Sequence, residues 1–124
     1  MTPHFTDSEL ACKCGCGLLP PQPLQDRLER VRVRYGKPMA VSSGARCAKH
    51  NQAVSSTGPN GPHTKGAVDV AVAGADALEV VRIMIAEGFT GIGVAQKGEY
   101  GKRFIHGDIL LDAPGQPRPW IWSY

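Results

Sequence analysis

Along residues 67–72 the chain alternates small or acidic side chains with valines: Ala67, Asp69 and Ala71 in one register, Val68, Val70 and Val72 in the other. A strand with this period buries its valines and turns Asp69 to the opposite face, where the flanking alanines leave room beside the carboxylate. Residues 104–111 carry a second period of two, with His106 and Asp108 directed one way and Ile105 and Ile109 the other. Shorter apolar runs at 39–41 and 89–94 predict two more strands. Helical spacing places Leu24, Leu28, Val31 and Tyr35 on one stripe, with Arg27, Arg30, Arg32 and Arg34 mostly off it and Gly36 as the stop. In a second helix Asp76 and Glu79 read as a capping box, Leu78, Val81 and Ile85 as the buried stripe with Val80 and Met84 beside it, and Gly88 as the end. Thr6-Asp7-Ser8-Glu9 predicts a capped helical turn, and 49–54 a short helix. Trp120, Trp122 and Tyr124 fall on alternate positions of the tail and are expected to pack over the core, with an aromatic wall for substrate as the other reading. The pattern predicts a small α+β domain over residues 1–124, with an antiparallel sheet and helices on one side of it.

Composition agrees with a single core: the chain has 124 residues, of which 42% are hydrophobic. A net charge of +3 and a pI near 8.8 suit an anionic partner but select none. The arginine helix reads as a solvated face, and no nucleic-acid partner is expected. No apolar run reaches membrane-spanning length, and Met1-Thr2-Pro3-His4-Phe5 begins neither a signal nor a transit peptide. Synthesis in the cytoplasm, without a membrane partner, is the expectation.

The chemistry is carried by His63, Asp69 and His106. Two imidazoles and a carboxylate form the ligand set of an open Zn²⁺ site, which keeps a position for water. His63 lies in a Gly/Pro-rich loop where Gly66 provides the unusual dihedrals that fold the ring back over the Asp69 strand. The H-E-x-x-H signature of helical zinc peptidases is absent. Cys12, Cys14 and Cys16, with Cys47 far along the chain, are open to three readings: a Cys₄ structural zinc, a disulfide from Cys47 to the cluster, or free thiols. Either link would tie the N-terminal segment to the loop after Arg46.

Several strings together resemble the zinc D-alanyl-D-alanine carboxypeptidase family, which includes phage and prophage peptidoglycan peptidases. They are Val41-Ser42-Ser43-Gly44-Ala45-Arg46-Cys47 followed by His50-Asn51, the block from His63 to Asp69, Gly91-Ile92-Gly93, Phe104-Ile105-His106-Gly107-Asp108, and the ending Pro117-Arg118-Pro119-Trp120-Ile121-Trp122-Ser123-Tyr124. The likeness runs in order over residues 5–124 and is greatest to the small phage-type members. It implies zinc-dependent hydrolysis of an amide bond in peptidoglycan stem peptides or crosslinks, by a monomer that reaches the wall through lysis proteins or a virion. It implies Arg46 as partner of a substrate carboxylate or of the oxyanion, with His50 and Asn51 holding the loop.

The chain departs from the family pattern in three places. The usual H-x-x-G-x-A-x-D is one residue shorter between His63 and Asp69, and Gly61 stands where many members have a serine. The acid that members place shortly before the last histidine is replaced by Arg103. Asp108, on the His106 face, is then the preferred general base and Glu99 its rival, Asp108 having the further option of orienting a histidine. Because related folds such as the hedgehog signalling domain serve as binding modules, a catalytically weak wall-binding or virion structural protein is the alternative function.

Overall fold

The computed structural model describes residues 1–124. In chain order its elements are α1 (Asp7–Leu10), α2 (Gln22–Tyr35), β1 (Ala40–Ser43), α3 (Ala48–Val54), α4 (Pro62–Lys65), β2 (Ala67–Ala71), α5 (Gly74–Ala86), β3 (Gly91–Ala95), β4 (Phe104–Asp108) and β5 (Trp120–Ser123), with 3₁₀ turns at Gly58–Asn60 and Tyr100–Lys102. The strands form one sheet in the order β1-β2-β4-β3-β5. The expected α+β domain is therefore present. The pairs β1–β2, β2–β4 and β3–β4 are antiparallel, as predicted, whereas β5 pairs in parallel with β3. The aromatic tail thus forms an edge strand instead of lying over the core, and Trp120 and Tyr124 remain exposed.

Period-two alternation sorts the sheet into two faces. Val68, Val70, Ile92 and Ile105 point to the helix side, where they meet Leu24, Leu28 and Val31 of α2 and Val80 and Met84 of α5 in one core. Each such fully buried side chain contributes about 1.5–3 kcal/mol. The α2 stripe is the predicted one, and Gly36 terminates it in the left-handed conformation.

The buried face of α5 is the predicted one only in part: Val80 and Met84 are buried and Val81 partly so, but the centre of the face lies elsewhere. Ala77, Val80, Ile83 and Met84 face the core, while Leu78 and Ile85 are 72% and 58% exposed. This helix is apolar around most of its circumference, so spacing alone could not choose the face. Its start also differs, with Ala73 as an N-cap that makes no side-chain hydrogen bond and Asp76 inside the first turn.

The N-terminal segment belongs to the same core. The predicted capping box at Thr6 and Glu9 forms, and Phe5 and Leu10 are fully buried. Leu10 crosses closely over the loop after β1: its carbonyl accepts from Ala45 N at 2.9 Å, and a Cβ on Gly44 would stand 2.2 Å from that oxygen.

Candidate metal centre

The opposite face of the sheet carries the predicted ligands. Asp69 of β2 and His106 of β4 are directly paired in register, so their side chains rise side by side. His63 reaches them from α4, a single helical turn closed by Gly66 at φ 131°. That turn accommodates the short spacing between His63 and Asp69. Only glycine fits there, both for its dihedral and because a Cβ would stand 2.9 Å from Pro21 Cδ.

Hydrogen bonding fixes which atom each histidine offers. His63 Nδ1 lies 2.8 Å from the Gly44 carbonyl; a carbonyl only accepts, so Nδ1 carries the proton and Nε2 presents its lone pair. His106 Nε2 lies 2.8 Å from Asp108 Oδ2, which leaves Nδ1 as its free lone pair. Both lone pairs meet Asp69 Oδ1, each at 3.2 Å. Three acceptors converge with no proton required among them, an arrangement that a cation satisfies. A tetrahedral site with bonds of 2.0–2.1 Å spaces its ligand atoms about 3.3 Å apart, so the donor set fits Zn²⁺ in chemistry and in size. All three residues are buried.

The local electrostatics follow the same contacts. Burial alone would raise the Asp69 carboxyl; in the metal-free site, protonation of the facing ring nitrogens of His106 and His63 turns those contacts into donors, and they hold the group down at about 2. For His106 burial opposes the charged form, yet Asp108 and Asp69 raise its pKa on balance.

Behind His106, Asp108 is fully buried and each of its oxygens is engaged. Arg118 grips it with both arms, Nε to Oδ1 at 2.9 Å and Nη2 to Oδ2 at 2.8 Å. Leu110 N donates to Oδ1 at 3.3 Å. The rival carboxylate, Glu99, is exposed and pairs with Lys102 at 3.7 Å. Neither Asp108 nor Glu99 lines the cleft above the three ligands. That cleft is walled by Arg46, Thr57, Pro62, Phe104, Trp122 and Tyr124 among others.

Arg46 stands where the sequence predicts. Its Nε donates to Ser43 Oγ at 3.2 Å and Nη1 to Asn51 Oδ1 at 2.8 Å, while Nη2 lies 3.9 Å from Asp69 Oδ2. Asn51, expected to be structural, is buried and also donates to Thr57 Oγ1 at 2.9 Å. At Gly61 a Cβ would stand 2.0 Å from Thr57 Oγ1, so this position has no room for a side chain while the Thr57 hydroxyl lies there.

Four further residues shape the site beyond the ligands, Arg46 and Asp108. Arg118 buttresses Asp108, and Trp122 packs against His106 with ring centroids 4.9 Å apart and planes tilted by 57°. Gly91 and Gly93 form the floor beneath them: a Cβ at Gly91 would stand 2.4 Å from Asp108 Oδ1, and one at Gly93 2.7 Å from Trp122 Nε1. All four stand in strings that carry the family resemblance, but neither those strings nor the alternation of the tail reveals that the tail pairs with β3.

A family model described as peptidase M15 matches residues 3–108, a span that contains all three ligands. A comparison with curated proteins finds no match. The matched span, the two-histidine, one-aspartate zinc site and the arginine beside it agree, and the chain belongs to the peptidase M15 family of zinc-dependent peptidases, which act on peptidoglycan-like substrates.

Proposed function

We propose that this chain is a wall-lytic enzyme of the phage or prophage type that hydrolyses an amide bond in peptidoglycan stem peptides or crosslinks. The observation that carries the reading is the convergence of His63 Nε2, Asp69 Oδ1 and His106 Nδ1 at the base of a cleft that Arg46 also lines. His63, Asp69 and His106 would hold a zinc ion there, which would supply a Lewis acid for a bound water and a substrate carbonyl. Arg46 is pinned by Ser43 and Asn51, which leaves Nη2 to receive the carboxylate of a stem peptide or the developing oxyanion. Beyond Thr57, Pro62 and Trp122 the cleft continues into a groove lined by Lys65, Gln116 and Trp120. That groove offers a cation and an aromatic wall to the rest of an acidic peptide.

Asp108 is a positioning residue in this reading: it holds the proton on His106 Nε2, and Arg118 keeps it ionised. Glu99 lies outside the reaction. The enzyme acts as a monomer, released to the wall by lysis proteins or carried by a virion, a route that rests on its likeness to the small phage-type peptidases.

Mass spectrometry of purified muropeptides incubated with the protein tests the activity. Cleavage of one amide, abolished by chelator and restored by Zn²⁺, is the expected result. Retention on peptidoglycan with every muropeptide intact would make the chain a wall-binding module instead.

A further inference from the structure

The second cluster of metal-ligating side chains lies about the four cysteines, away from the catalytic ligands. We propose that Cys12, Cys14, Cys16 and Cys47 bind a structural Zn²⁺ that fastens the N-terminal segment to the loop carrying Arg46. The four Sγ atoms all lie within 4.8 Å of one another. Cys12 and Cys14 are 3.4 Å apart, Cys14 and Cys47 3.6 Å. A tetrahedral site with Zn–S bonds near 2.3 Å spaces its sulfurs about 3.8 Å apart, whereas a disulfide requires about 2.0 Å and a pair of partners rather than a group of four.

The backbone explains how an unusual C-x-C-x-C spacing can converge. Gly15 and Gly17 adopt φ of 87° and 85°, turns that bring alternate cysteines to one side. Cys12 N donates to Leu18 O at 2.8 Å and Gly15 N to Cys12 O at 3.2 Å, closing the loop on itself. Two amides point at the sulfurs: Cys47 N to Cys12 Sγ at 3.3 Å and His50 N to Cys47 Sγ at 3.4 Å. Such N–H donors stabilise the negative charge of ligating thiolates, as outer contacts do at other metal sites.

The connection to the catalytic face is short. From Ser43 to Cys47 successive residues hold Arg46 Nε, His63 Nδ1, the Leu10 carbonyl, the Asp69 side and the cysteine cluster. Anchoring Cys47 therefore limits the motion of Arg46 and of the Gly44 carbonyl that sets the His63 tautomer.

The test is metal content, read separately from activity. Wild-type protein prepared under reducing conditions should carry two equivalents of zinc and the His106→Ala protein one. Combining His106→Ala with Cys14→Ser and Cys16→Ser should reduce that to none. Cobalt loaded into the His106→Ala protein should show thiolate-to-metal charge-transfer bands. In the wild type, which avoids any folding defect of the variants, the four thiols should resist alkylation until a chelator is added. Immediate alkylation of Cys14 and Cys16 without chelator would overturn the proposal, as would a mass lower by the hydrogens of a disulfide, or a His106→Ala protein free of metal with no thiolate bands on cobalt.

Discussion

His106 serves as a ligand through the nitrogen that Asp108 does not touch, and the chain invests a buried Asp108–Arg118 pair in that choice. Asp108→Asn retains the shape but weakens the hold on the Nε2 proton. We expect zinc affinity to fall roughly 10–100-fold, with turnover recovering in excess zinc; a dialysis titration against a zinc indicator measures it. Glu99→Gln should leave both quantities unchanged. A turnover loss in Asp108→Asn at full zinc occupancy would return the carboxylate to the role of general base. The same residue predicts an acid limb. Burial alone would raise the Asp108 carboxyl, but His106 and Arg118 bring it from the ordinary 3.8 to about 2. Since the folded value lies below the unfolded one, the stabilisation is complete above about pH 4 and is lost as the pH falls towards about 2, on the order of 2 kcal/mol. Acid unfolding of the metal-free protein should show that loss, and Asp108→Asn should flatten it. At Arg46 the prediction concerns geometry: lysine keeps the charge but gathers its donors on one nitrogen, without the planar fork that bonds Ser43 and Asn51 through Nε and Nη1 and directs Nη2 to the site. Arg46→Lys should lower kcat/KM on muropeptides at least tenfold with zinc content unchanged.

At the scale of elements, the strands that carry ligands were legible because each confines its large apolar side chains to one face. Valines opposite Asp69, and isoleucine opposite His106, leave a single register in which the core is satisfied. The α2 stripe was legible for the same reason, its outer face being charged. Helix α5 was less so, because its polar stripe of Asp76, Glu79 and Arg82 is narrow and leaves more apolar residues than one buried face can hold. The β5 strand was not legible either: alternation in the tail names a strand but not its partner, and pairing with β3 is a contact distant in sequence. That pairing gives Gly91 and Gly93 their importance, since the space above them is taken by the Asp108–Arg118 pair and by Trp122 against His106. A methyl group at Gly91 has no room unless Asp108 moves. Gly91→Ala should destabilise the fold by about 1–3 kcal/mol and reduce zinc affinity, as thermal unfolding and metal titration would show; a fold of unchanged stability with full zinc affinity would mean that the Asp108 contact is slack.

Taken as a whole, the molecule assigns one face of its sheet to cohesion and the other to chemistry. The helix side buries the apolar residues of α2 and α5, and the far side gathers the metal ligands, Arg46 and an aromatic wall. The N-terminal segment packs Phe5 and Leu10 into the helix-side core and is tied to the loop after β1 by the Leu10 carbonyl and by Cys47 N on Cys12 Sγ. The central claim is that zinc on His63, Asp69 and His106 makes this arrangement a peptidase. Its most direct test is a zinc titration of chelated protein, with peptidoglycan hydrolysis measured at each addition for the wild type and for His106→Ala. Activity should return with zinc in the wild type and stay absent in the variant at every zinc concentration. Hydrolysis by the variant, or by chelated wild type before any zinc is added, would contradict the account.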